Sequence, residues 1–92
     1  MQHYKIEPDT KRAFVGGKEV LLTKKEFEIL VLLVKSEHKI LSREDILQKV
    51  WDNESYVLDR TVDVHIARLR KKLGVCGEMI VNRSGYGYCF QK

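Results

Sequence analysis

The stretch 60–73, RTVDVHIARLRKKL, constrains this chain more than any other. Its apolar residues Val62, Ile66, Leu69 and Leu73 recur at steps of four, three and four, the spacing of one helix face. With Val62 as origin and about 100° per residue, the other three fall within about 40° of it. Such a helix has a stripe to bury. Arg60, Val64, Ala67, Arg68 and Lys71 fall on the opposite side, with Thr61 on the flank. The outer face is therefore basic, with two small uncharged residues in its middle. That face suits the DNA major groove, because small residues allow close approach and Arg can bond two base acceptors at once. A solvated surface face carries the same charge signature, so the helix alone leaves both readings open.

The charge distribution bears on the choice. The chain is +4, from 17 basic and 13 acidic residues. Residues 60–73 hold Arg60, Arg68, Arg70, Lys71 and Lys72 against Asp63 alone, so this one segment carries the whole excess and the rest balances. Ninety-two residues make one small domain with a single core. With 43% apolar and 33% charged residues, the chain reads as globular rather than disordered. The longest apolar run, 29–34, is six residues, far short of the roughly 18 that a membrane span needs. The start is polar and mixed, without a signal-peptide pattern. Cys76 and Cys89 could form one disulfide. The preferred reading is two reduced thiols filling small apolar space in a cytoplasmic protein.

Taken in order, residues 4–22 read as three short strands. Tyr4-Lys5-Ile6 alternates, Arg12 to Val15 follows a Pro8-Asp9 turn, and Gly16-Gly17 supplies the tight turn before Lys18 to Leu22. Thr23-Lys24-Lys25-Glu26 is a capping box, with Leu22 and Phe27 placed as a hydrophobic staple. The helix it opens runs to about Ser36 and is apolar on most sides, so it should be the most buried element. Ser42-Arg43-Glu44-Asp45 repeats the cap and starts a helix running to about Trp51. A Trp at a helix end is more often core than contact, although its indole N–H is a good phosphate donor. Residues 52–59, DNESYVLD, then form a longer loop than the three or four residues of a plain helix-turn-helix. Asp59 is placed to cap the basic helix, and Tyr56, Val57 and Leu58 would either anchor the loop or stand exposed for a partner.

Gly74 is the natural stop for the basic helix. Met79 to Asn82 and Tyr88 to Gln91 read as strands joined by Arg83-Ser84-Gly85-Tyr86-Gly87. A ribbon tipped by Arg can insert it into a narrow minor groove, where the negative potential is strongest. An ordinary hairpin with a solvated Arg looks the same. The fold class expected is α+β: a small N-terminal antiparallel sheet, three helices and a C-terminal β-hairpin wing, a winged helix-turn-helix.

At this point the residues resemble a known family. Leu22-Thr23, Glu26-Phe27, Leu41-Ser42-Arg43, Val50-Trp51, Arg60 to Ile66 with Arg68 to Lys71, and Arg83-Ser84-Gly85-Tyr86-Gly87-Tyr88 resemble the DNA-binding output domain of OmpR/PhoB-type response regulators. The resemblance spans nearly the whole chain. It implies transcriptional regulation by sequence-specific binding of double-stranded DNA, with no catalysis and no cofactor. It places Thr61, Val64 and Arg68 at the bases and Arg83 in the minor groove. Trp51, Arg60, His65, Arg70 and Tyr88 would lie near the phosphates, joined by Lys71 from the basic face. The helical wheel agrees for Thr61, Val64 and Arg68, but puts Arg70 nearer the side, where it could reach backbone or pair with an acid.

The resemblance also implies that the loop residues Asn53, Glu54, Ser55, Tyr56 and Val57 contact RNA polymerase. Two copies would bind direct-repeat half-sites head to tail, about one helical turn apart. Family members carry an N-terminal receiver domain addressed by a sensor kinase, and the 92 residues are taken up by the output domain, so the chain is expected to be a C-terminal piece of a longer regulator. Two other classes fit worse. A protein-binding winged helix would show an exposed apolar patch on the third helix, whereas Val64 and Ala67 are ringed by cations. For an enzyme, His3, His38 and His65 are scattered, no Cys/His pair has metal-ligand spacing, and neither GxSxG nor a phosphate-cradling glycine loop occurs.

Overall fold

The computed structural model describes residues 3–52 and 57–91. The chain opens with a three-stranded antiparallel meander: β1 (Tyr4–Glu7), β2 (Arg12–Val15) and β3 (Lys18–Val20). Val15 pairs with Lys18, leaving Gly16 and Gly17 as a two-residue turn. Both have positive φ, 58° and 82°, the geometry a tight hairpin requires. β3 ends two residues earlier than Leu22. Leu21 points to solvent, and Leu22 turns in against the core, where the staple needs it.

Helix α1 (Lys24–Lys35) starts at the expected capping box. The Glu26 N–H donates to the Thr23 hydroxyl at 3.2 Å, and the Thr23 N–H donates to the Glu26 carboxylate at 2.9 Å. Phe27, Ile29, Leu30 and Leu33 are buried, making this the central helix of the core. Helix α2 (Arg43–Ile46) opens on the Ser42 cap, closed reciprocally by Asp45. Only its first turn is an α-helix. Residues Leu47–Trp51 continue as a wider π turn, which the sequence reading took as ordinary helix. The Val50 carbonyl in that turn accepts a hydrogen bond from Lys25 Nζ at 2.9 Å, so a group on α1 satisfies the helix end.

Helix α3 (Asp59–Leu73) buries Val62, Ile66, Leu69 and Leu73, the stripe read from the sequence. The expected Asp59 cap does not form. Leu58 is the N-cap residue, without a side-chain cap bond, and Asp59 is the first helical residue, where its charge faces the positive helix end. Gly74 ends the helix at φ 60°. An unexpected 3₁₀ turn, Gly74–Met79, then folds back over α3 and delivers Cys76 and Met79 to the core. Gly77 makes that crossing possible: a Cβ there would lie 2.3 Å from the Arg70 carbonyl oxygen.

The wing is β4 (Ile80–Arg83) and β5 (Gly87–Phe90), shifted by one residue from the expected strands at Met79 and at Gly87. Its inner strand joins the body. Leu41 and Tyr88 exchange both backbone hydrogen bonds at 2.8 Å, and the His38 N–H donates to the Phe90 carbonyl at 3.0 Å. Both cysteines are free and buried. Among the described residues no helix is long and apolar enough to cross a membrane, and no three or more His, Cys, Asp or Glu residues cluster so that they could hold a metal ion.

Candidate nucleic-acid interface

The outward side of α3 is built as its sequence requires. With the apolar stripe fully inside, Arg60, Ala67, Arg68 and Lys71 are exposed, and Val64 is 44% exposed between them. Among the described residues, Arg60, Arg68 and Lys71 form no ion pair. The surface is thus a cationic rim around a shallow apolar floor. Thr61 is half-buried at the edge of this face.

The two flanks of α3 are bound to the body, and they carry most of the polar structure. On one flank, Asp63 Oδ1 accepts a hydrogen bond from the Tyr88 hydroxyl at 2.6 Å and one from Arg43 Nε at 2.9 Å. Burial, together with the bond to the Asp63 carboxylate, pushes the Tyr88 phenol up to about 12. The same carboxylate holds the Arg43 guanidinium above its ordinary value. Arg70, on this flank, donates to the Gly77 carbonyl at 3.4 Å.

On the other flank, His65 Nδ1 lies 2.8 Å from the Thr61 carbonyl oxygen. A carbonyl only accepts, so Nδ1 carries the proton, which leaves Nε2 as the nitrogen not engaged by Thr61. The His65 ring stands edge-on to Trp51, 5.1 Å between centroids at 84°, and Lys25 Nζ lies 5.3 Å from the Trp51 ring centre. Lower on the same flank, Lys72 Nζ lies 2.7 Å from the buried Glu26 carboxylate. Burial pushes the Glu26 carboxyl up, but the bonds from Lys72 and Thr23 outweigh it and hold it below the usual carboxylate range.

The wing places Arg83 in the open at the end of β4, beside the turn at Gly85 (φ 84°) and the exposed Tyr86. Trp51 and Tyr88 are placed differently from the other residues assigned to DNA. They are 6% and 5% exposed, and both pack into the core. Of the loop residues, Asn53, Glu54, Ser55 and Tyr56 lie outside the described residues. Val57 packs against the core and anchors the loop's end, whereas Leu58 is exposed.

This arrangement has relatives. A family model described as "Transcriptional regulatory protein, C terminal" matches residues 17–90. The Staphylococcus aureus transcriptional regulatory protein SrrA is 40% identical over 94 residues, taking in 98% of this chain and 39% of SrrA. The DNA-binding domain of the response regulator AdeR, solved in complex with an intercistronic region, matches with a TM-score of 0.86 at 30% identity, over 100% of this chain and 97% of that one. DrrB, an OmpR/PhoB homologue from Thermotoga maritima, matches with a TM-score of 0.87 at 36% identity, over 97% of this chain and 42% of DrrB. The chain belongs to the transcriptional regulatory C-terminal family. It is an OmpR/PhoB-type winged-helix domain of transcriptional regulators.

In this output domain the outward face of α3 and the wing arginine were legible as sequence. Of the flank residues, His65, Arg70 and Tyr88 were singled out in the sequence, but Asp63, Arg43 and Lys72 were given no partner there, and Glu26 was read only as a cap. Asp63 is the sole acid in the basic stretch, which is the one signal that could have singled it out.

Proposed function

We propose that α3 enters the major groove with Thr61, Val64 and Arg68 toward the bases. Arg60, His65, Arg70 and Lys71 then follow the phosphates, and Arg83 of the wing reaches the adjacent minor groove. The observation that carries this reading is the cationic rim around Val64 and Ala67, formed by exposed Arg60, Arg68 and Lys71 over a helix whose apolar stripe is wholly buried. Trp51 and Tyr88 act here from behind the surface: Trp51 backs the His65 ring, and Tyr88 holds Asp63.

The chain spans about two-fifths of the length of SrrA. For the whole regulator we propose a receiver domain N-terminal to this one, a sensor kinase addressing it, a cytoplasmic location, and no enzymatic step in this domain. Two copies would bind direct repeats head to tail, and the loop with Asn53, Glu54, Ser55, Tyr56 and Val57 would meet RNA polymerase. Support for these comes from the family resemblance and, for the loop, from the anchoring of its end by Val57.

Selection of binding sites from random duplex DNA tests the reading. Arg68→Ala should cost about 1–3 kcal/mol and relax preference at one base position. Arg60→Ala should weaken all sequences alike and flatten the salt dependence. Wild-type binding by both variants at moderate salt overturns the assignment.

A further inference from the structure

Asp63 lies between the recognition helix and the wing, and its surroundings form a closed ring of contacts. Its Oδ1 atom accepts the Tyr88 hydroxyl of β5 at 2.6 Å and Arg43 Nε of α2 at 2.9 Å. Tyr88 in turn exchanges two backbone hydrogen bonds with Leu41, and Leu41 leads directly into Ser42, the cap of α2, and Arg43. The ring therefore runs from α3 to the wing, back to the start of α2, and again to α3. Tyr88 is also next to Gly87, the residue that pairs with Arg83 across the hairpin. A short hydrogen bond to a carboxylate is among the stronger and more directional contacts available to a side chain. One oxygen atom of α3 thus helps to set where the wing arginine stands.

We propose that Asp63 is a positioning residue that couples the wing to α3, so that the contribution of Arg83 to DNA affinity depends on the Asp63–Tyr88 bond. The inference rests on the reading of α3 and Arg83 as DNA-contacting. It makes binding by helix and wing cooperative rather than a sum of two independent contacts. It also opposes what charge alone would do: Asp63 is an anion beside a cationic face, so its removal should by simple electrostatics strengthen the complex.

The test is a double-mutant cycle on the 92-residue chain, using a duplex that the wild-type chain selects from random DNA. Tyr88→Phe removes only the hydroxyl and keeps the buried ring. Arg83→Ala should weaken binding about ten-fold in the wild type and only about two-fold in the Tyr88→Phe background, a coupling of about five-fold for groups in one hydrogen-bonded network. Asp63→Asn should shrink the Arg83 factor in the same way, despite removing a negative charge. Val31→Ala, a change in α1 away from the ring, serves as a general destabiliser and should leave the factor whole. Equal Arg83 factors in the wild-type and Tyr88→Phe backgrounds overturn the coupling alone. So does an equal shrinkage in Val31→Ala, since loosening of the fold would then explain it. An Arg83→Ala chain that binds like wild type removes the wing reading and the coupling together.

Discussion

The two small sheets of this domain use the same local chemistry under different constraints. Each is built on an antiparallel hairpin with glycines at or beside its turn. The N-terminal meander lies at the edge of the body: Ala13 is its buried residue, and Tyr4, Ile6 and Val15 pack half-buried against the core. A Cβ added at Gly16 or Gly17 would meet nothing within 4 Å. The wing's inner strand is instead built into the body. Tyr88, Cys89 and Phe90 are all buried, and Phe90 meets Tyr4 edge-on at 5.7 Å, so the second sheet abuts the first. A Cβ at Gly87 would lie 2.0 Å from the Leu41 carbonyl oxygen. The glycines of the first sheet answer to their own backbone. Gly87 answers to another segment of the chain as well.

That contrast is open to measurement. The largest expected effect is Gly87→Ala, where a backbone clash adds to a φ of 140°; it should cost about 3 kcal/mol or more, read from urea unfolding. A cost no larger than that of a Gly17 substitution would erase the distinction between the sheets. Next is alkaline stability. Tyr88 keeps its proton up to about 12 in the fold, against about 10 in an unfolded chain, so its contribution is complete below pH 10 and is lost as pH rises toward 12. The loss should reach about 2–3 kcal/mol, and Tyr88→Phe should abolish both it and the last phenolate step in an ultraviolet titration.

Smaller effects separate the cations of the two sheets. Arg83→Ala should weaken DNA binding about ten-fold. Arg12→Ala should not change it, since Arg12 is on the meander and lies 3.7 Å from the Glu19 carboxylate. Equal losses for both would mean that net charge, not position, governs the wing's part in binding. The smallest effect is Gly17→Ala, about 1 kcal/mol from its positive φ alone, with Gly17→Asn closer to wild type.

The amino-acid sequence by itself determined what depends on neighbours within about four residues, because helix periodicity and capping act over that range. Both capping boxes, the stripe of Val62, Ile66, Leu69 and Leu73, the Gly16-Gly17 turn and the stop at Gly74 all follow from it. So does the exposed basic face, since fixing the buried side of a helix fixes the opposite one. The tertiary structure decided the flanks of α3. Lys72 finds Glu26 across 46 positions, and Tyr88 finds Asp63 across 25, and no periodicity encodes such meetings. It also decided the π turn, which ends against Lys25, the 3₁₀ turn, which needs Gly77 to cross Arg70, and the burial of Tyr88. These are consequences of segments crossing in space, where a missing Cβ or a single carboxylate oxygen settles the distance between two parts of the chain.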